Sequence, residues 1–207
     1  MVEEKGITSV EKFLLSRRLM YWQVYCHKTV VASENMLVKI IERAQDLFRH
    51  NSAAIKTGGV LDYFLGDFSG QLKDIQLAAF CNLDDTDVLF AVKLWQQHED
   101  PILSLLCKRL LNRRCYKCKM QDDPISESAW AKAYELTKAN FPFNDADLSY
   151  LCFKGTVTNT MYKNDSESIK ILLKSGEITN ISQIQNALIV ESMSAQVKKF
   201  YICSLSE

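Results

Sequence analysis

The sequence predicts an α+β fold: an N-terminal helical half with one long helix, then a small, mostly antiparallel sheet with helices on one face. Three observations predict it. Apolar residues recur at helical spacing from about residue 9 to residue 49, with no Pro or Gly in between. After Arg114, runs rich in aromatic and β-branched residues alternate with helical stretches. Ser175-Gly176 then reads as a hairpin turn between two short strands. The chain has 207 residues, 47% of them hydrophobic and 24% charged. This suits one globular domain or two small ones. A chain of this length buries about 70% of its unfolded surface and needs no staple.

Thr8 and Glu11 form a T-x-x-E capping box for the long helix. Leu14, Leu15, Met20, Val24, Val31, Leu37, Ile40, Ile41 and Leu47 then mark it, and its length leaves room for a kink. Residues 51–58 read as a loop. Helices follow over about 60–68 and 72–81, separated at Gly70. Asp84 or Asp85 caps a helix through Gln97, and Asp100-Pro101 opens another with Pro in its first turn. Lys108, Arg109, Arg113 and Arg114 end it, where cations suit the partial negative charge of a helix C-terminus. The second half reads as a strand at 115–121 and a helix from a Ser126 cap to about Asn140, stopped at Phe141-Pro142. Strands at 150–162, 169–174 and 177–179, a helix at 182–190 and a closing strand at 197–204 complete it. The expected domains are 1–114, helical, and 115–207, α+β.

Lys+Arg and Asp+Glu both number 25. That balance lacks the positive excess that nucleic-acid binding uses. No run approaches the ~18 apolar residues of a membrane span. The acidic start MVEEKGITSV has no apolar core of a signal peptide. Seven cysteines without an export signal read as reduced thiols in the cytoplasm. Cys115 and Cys118 form a CxxC, but the histidines are only His27, His50 and His98, none in a ligand-spaced pair. The plainer reading is a strand with Cys115 and Cys118 on opposite faces. Asp84, Asp85 and Asp87 lack the glycine and terminal glutamate of a calcium loop and read as a solvated N-cap. Asp122-Asp123 before Pro124 reads as a turn, and Trp22, Trp95 and Trp130 as packing residues.

One stretch carries chemistry. At 100° per residue, Arg17, Tyr21, Tyr25 and Lys28 fall within about an 80° arc. Arg offers a planar fork for phosphate oxygens and Lys a point charge. Tyrosine offers a flat ring for a sugar or base and a hydroxyl. That is what a nucleoside phosphate needs from a binding helix. The same spacing also fits an amphipathic surface helix with solvated cations and half-buried tyrosines.

The pattern R-x-x-x-Y-x-x-x-Y-x-H-K from Arg17 to Lys28, in a long helix, resembles the segment C-terminal to the HD domain of HD-superfamily dNTP triphosphohydrolases. The later run LDDTDVLFAVKLWQQHEDPILSLLCKRLLNRRCYK is similar to that family's acidic N-cap, W-x-x-x-x-D segment and basic helix leading into a strand. The resemblance covers about residues 5–120; over the tail only the order of elements matches. It implies that Arg17 contacts a substrate phosphate. By the same resemblance, Tyr21 holds a position near the phosphates and sugar that is often histidine in eukaryotic relatives. The resemblance places Tyr25 against the deoxyribose, where it excludes a 2′-hydroxyl. Cys26 stands where some relatives carry a polar residue that reads the base edge. His27 and Lys28 match positions that line a regulatory nucleotide site between subunits in some relatives.

HD phosphohydrolases bind metal through a histidine, an adjacent His-Asp pair and a distant aspartate, and the metal activates water. This sequence has no His-Asp dipeptide: His27 precedes Lys28, His50 precedes Asn51, and His98 precedes Glu99. The nucleotide-binding motifs G-x-x-x-x-G-K-[ST] and G-x-G-x-x-G are absent, as is G-x-S-x-G. The expectation is therefore a C-terminal region with no catalytic residue, metal ligand or cofactor of its own. A divalent metal and the hydrolytic activity would belong to an HD domain in a longer protein. Detached from such a domain, the long helix exposes an apolar stripe, which predicts self-association through residues 10–48. The competing expectation is a stand-alone protein-interaction or regulatory α+β module with no nucleotide role.

Overall fold

The structure is a computed structural model, and it describes residues 1–66, 68, 70, 74–160, 169–184 and 196–206. Its elements are those of an α+β protein. A two-residue strand β1 (Val2–Glu3) leads through a 3-10 turn at Glu4–Gly6 into α1 (Ile7–Met20). A π-helical turn occupies Tyr21–Tyr25, and α2 (Lys28–His50) follows. Then come α3 (Ser52–Ile55), α4 (Leu61–Gly66), α5 (Asp74–Cys81), α6 (Asp85–Trp95) and α7 (Pro101–Leu111). The second half contains β2 (Lys117–Gln121), α8 (Glu127–Asn140), α9 (Asp145–Leu148) and β3 (Cys152–Thr160). It closes with β4 (Lys170–Leu172), β5 (Ile178–Asn180), a 3-10 turn at Ile181–Gln183 and β6 (Gln196–Ser204).

Several differences from the sequence reading have physical causes. The long helix is two helices, because Cys26 leaves the helical region at φ −96°, ψ 16°. The expected Thr8/Glu11 capping box is absent. The chain enters α1 already coiled through the 3-10 turn, Gly6 stands at the N-cap, and no side chain caps it. The expected loop at 51–58 contains α3, and the N-terminal strand β1 was not foreseen. Strands too short to show alternation leave no period-2 signal. Among the described residues there are two three-stranded sheets, ordered β1-β4-β5 and β2-β6-β3, where one was expected. In the first, β1 runs parallel to β4 and β4 antiparallel to β5. The start of the expected 72–81 helix, the end of the 150–162 strand and most of the 182–190 helix lie outside the described residues.

The foreseen caps that formed are instructive. Asp84 accepts from the Thr86 and Asp87 N–H groups, while the Asp87 carboxylate accepts from the Asp84 N–H, a reciprocal capping box. Asp100 accepts from the Leu103 N–H, with Pro101 just inside α7. Between β4 and β5, Gly176 sits at φ +87°, the left-handed conformation glycine reaches without a Cβ penalty. Its N–H donates to the Leu173 carbonyl (2.9 Å) and closes the turn.

The chain forms two compact units, each drawn from separate stretches. The first is Met1–Val30, Lys119–Ser126 and Lys154–Tyr201; the second is Val31–Cys118, Glu127–Phe153 and Ile202–Glu207. The change in secondary structure expected near Arg114 falls between α7 and β2, while the units interleave along the chain. In the second unit Met36, Ile40, Ile55, Trp95, Ile102, Leu103 and Leu106 are fully buried. The Trp95 indole N–H donates to the Ile55 carbonyl (2.9 Å), so its one polar group is satisfied in the core.

Candidate functional site

The end of α1 and the π-turn carry the candidate site, entirely within the first unit. In the π-turn the backbone bond skips five residues: the Cys26 N–H donates to the Tyr21 carbonyl at 2.6 Å. Such single turns, with one extra residue wound into the helix, concentrate at functional sites. Here the turn carries the two tyrosines singled out in the sequence.

Arg17, Tyr21 and Tyr25 are brought together. The Arg17 guanidinium lies 5.5 Å from the Tyr21 ring centroid, within cation–π range. The Tyr21 and Tyr25 rings are 5.1 Å apart and tilted by 46°. Arg17 is exposed, Tyr21 half-buried and Tyr25 54% exposed, so the row faces solvent and is not sealed in the chain's own interior. Rings in contact hold each other's rotamers, which lowers the entropy lost when a flat ligand settles on them.

Lys28, expected in the same row, lies on the next helix. It opens α2, beyond the break at Cys26, and the helical arc that placed it beside Arg17 assumed an unbroken helix. His27, also exposed, stands at the break, and its Nδ1 accepts from the Thr29 N–H (3.2 Å). That bond caps α2 and leaves Nε2 as the imidazole's second polar atom. Cys26, between Tyr25 and His27, is buried.

Sequence reasoning missed two groups. Glu11, read as a capping residue, is 4% exposed, and its Oε1 has no hydrogen-bond partner among the described residues. A charged residue among apolar α1 neighbours was the available signal. The second is a polar knot in the second unit around Arg43. Its guanidinium donates two bonds to Asp100 (2.6 and 3.1 Å) and pairs with Asp147 at 2.9 Å. It also lies 5.2 Å from the Tyr150 ring centroid, and the Tyr150 hydroxyl donates to Asp46. Burial and the Asp46 carboxylate push the Tyr150 phenol up to about 12. The Asp100 bond holds the Arg43 pKa above its ordinary value. A cavity of about 520 Å³ beside this knot is lined by Arg43, Asp46, Arg49, His50 and Tyr150 among others. Arg43 is consumed by internal carboxylates, so the knot reads as structural.

The metal expected of an HD phosphohydrolase does not fit these residues. Among the described residues no three His, Cys, Asp or Glu side chains group so as to hold a metal ion. Among them also, no helix is long and apolar enough to cross a membrane.

Comparisons with known proteins agree on the surroundings of this site. Residues 1–57 match the family described as the HD associated region. The uncharacterized protein YwfO of Bacillus subtilis (strain 168) is 31% identical over 204 residues, 95% of this chain and 44% of that protein. The crystal structure of a phosphohydrolase from Bacteroides thetaiotaomicron VPI-5482 superposes on all of this chain with a TM-score of 0.83 and 33% identity, covering 52% of its own length. The chain thus spans about half the length of these relatives. The family match lies within residues 1–57, and the 207-residue sequence contains no His-Asp dipeptide.

Proposed function

We propose that residues 1–57, the HD-associated region of this chain, supply the nucleotide-facing helix of an HD-domain phosphohydrolase acting on nucleoside triphosphates, dNTPs in particular. Arg17 grips a phosphate, Tyr21 lies beside the phosphates and sugar, and Tyr25 packs on the deoxyribose face, where a 2′-hydroxyl would clash. His27 and Lys28, at the start of α2, belong to a regulatory nucleotide site. Water activation requires a metal that an HD domain would hold, so this chain positions substrate and does not hydrolyse it. The N-terminal helices, residues 10–48, also mediate self-association.

The observation that carries this reading is the contact row from Arg17 at the end of α1 to Tyr21 and Tyr25 on the π-turn, within the residues that match the HD-associated region. A charge-assisted bond to phosphate is worth roughly 1.5–3 kcal/mol, so losing Arg17 should weaken binding by about tenfold or more. Calorimetric titration of dATP and ATP into the 207-residue chain tests it. Weak binding is expected that favours dATP, falls in Arg17→Ala and loses its deoxy preference in Tyr25→Ala. Equal binding by wild type and both variants, or no heat at millimolar nucleotide, would overturn the assignment.

A further inference from the structure

The sheet ordered β2-β6-β3 carries a cysteine on each strand: Cys118 on β2, Cys203 on β6 and Cys152 on β3. All three belong to the second unit. The middle one, Cys203, is fully buried, and Asp122 and Lys199, each four residues along the chain from Cys118 and Cys203 respectively, pair at 3.4 Å. That ion pair between neighbouring strands fits an antiparallel register that sets Cys118 opposite Cys203. Residues facing across neighbouring antiparallel strands have Cα atoms ~4.5–5.5 Å apart, inside the ~4.4–6.8 Å that a disulfide spans. Cys118 is half-exposed, so a small oxidant reaches this pair from one side only. The remaining candidates are differently placed. Cys152 is buried and engages Thr137, and Cys115 lies three residues before Cys118, on the opposite face of an extended segment.

We propose that Cys118 and Cys203 form a peroxide-responsive thiol pair that closes to a disulfide across β2 and β6. The Cys118 sulfur, as thiolate, attacks the distal oxygen of a hydroperoxide. The O–O bond breaks, and Cys118 becomes a sulfenic acid while the leaving oxygen takes a proton. The Cys203 sulfur then attacks the Cys118 sulfur, the S–O bond breaks, and the hydroxyl departs as water with the Cys203 proton. Two thiols lose two electrons and two protons, and one hydrogen peroxide becomes two waters. The order follows from the surroundings. The neighbouring Cys118, then burial, holds the Cys203 thiol well above its ordinary pKa, so Cys203 keeps its proton until the second step.

The test uses the reduced 207-residue chain with Cys81→Ser, because Cys81 is the exposed thiol among the described residues and would link separate molecules. One equivalent of hydrogen peroxide is added, the remaining thiols are alkylated, and peptides are mapped by mass. The expected product joins the peptides of Cys118 and Cys203 with the loss of two hydrogens, and dithiothreitol reverses it. In Cys203→Ser the reaction should stop at a Cys118 sulfenic acid that dimedone traps. An oxidised chain in which Cys118 and Cys203 are both alkylated, or in which Cys203 joins Cys152, would overturn the assignment. The peptide map of the chain with Cys203 intact decides this even if Cys203→Ser does not fold.

Discussion

Arg43 shows how much one residue of the second unit organises. Its fork joins the N-cap of α7, the acid of α9 and the ring of Tyr150. Burial raises the Asp100 pKa, but the bonds from Arg43 and the Leu103 N–H, with the Arg43 charge, outweigh it and hold that pKa below the ordinary value. The consequence for pH follows by linkage. A carboxyl whose pKa is lowered on folding contributes stability that is whole above its unfolded pKa, ~3.9, and is lost as pH falls through the lower folded value. Asp100→Asn keeps a good N-cap and removes only the charge. It should cost about 1.5–3 kcal/mol at pH 7, the range for hydrogen bonds to charged groups. Denaturant titrations at pH 7 and well below pH ~4 should then show the gap to wild type closing in acid. A gap of constant size would mean that the charge is not what Asp100 contributes. The start of α7 at Asp100 was legible in the sequence, but the partnership with Arg43 was not. Arg43 and Asp100 are 57 positions apart, and only the fold makes them partners.

Helix ends show what local chemistry encodes and where it stays silent. Asp84, Asp100 and the Ser175-Gly176 turn were read correctly because cap and turn residues act within three or four positions. The end of α7 was read only as a run of cations. The structure shows a Schellman closure there: the Arg114 N–H donates to the Arg109 carbonyl (2.8 Å) and the Arg113 N–H to the Leu110 carbonyl (3.0 Å). The left-handed residue is Arg113, at φ 57°, where glycine is usual. The sequence lacks the glycine that would have announced the motif. An L-residue there carries roughly 1–2 kcal/mol of strain, so Arg113→Gly should raise stability by about 1 kcal/mol despite glycine's greater unfolded-state entropy. A higher denaturation midpoint with an unchanged slope would register it, and a lower midpoint would refute it. The π-turn was equally illegible, because periodicity assumes a uniform 100° step.

At the scale of the molecule, the question is what covers the N-terminal helices. The α1 helix buries Leu14 yet exposes Phe13 (66%), Leu19 (49%) and Met20 (45%), and Val24 in the π-turn is 52% exposed. Exposed aromatic and aliphatic side chains in one stretch mark an interaction surface. The sequence made this legible in part: it gave the apolar residues and the helical period, but not that one period serves two separate helices. In the chain by itself a second copy is the available cover, which is the self-association proposed for residues 10–48. Sedimentation velocity over a wide concentration range should show the average coefficient rising with concentration. Phe13→Glu with Val24→Glu replaces two side chains whose burial contributes ~1.5–3 kcal/mol each, so it should weaken the association by about a hundredfold or more. Circular dichroism should remain that of wild type, because neither side chain is buried in the chain itself. A wild-type chain that sediments as a compact monomer at every concentration would leave the apolar helices uncovered in solution and end the self-association reading. The nucleotide proposal would still stand on the contacts of Arg17, Tyr21 and Tyr25, which lie within a single chain.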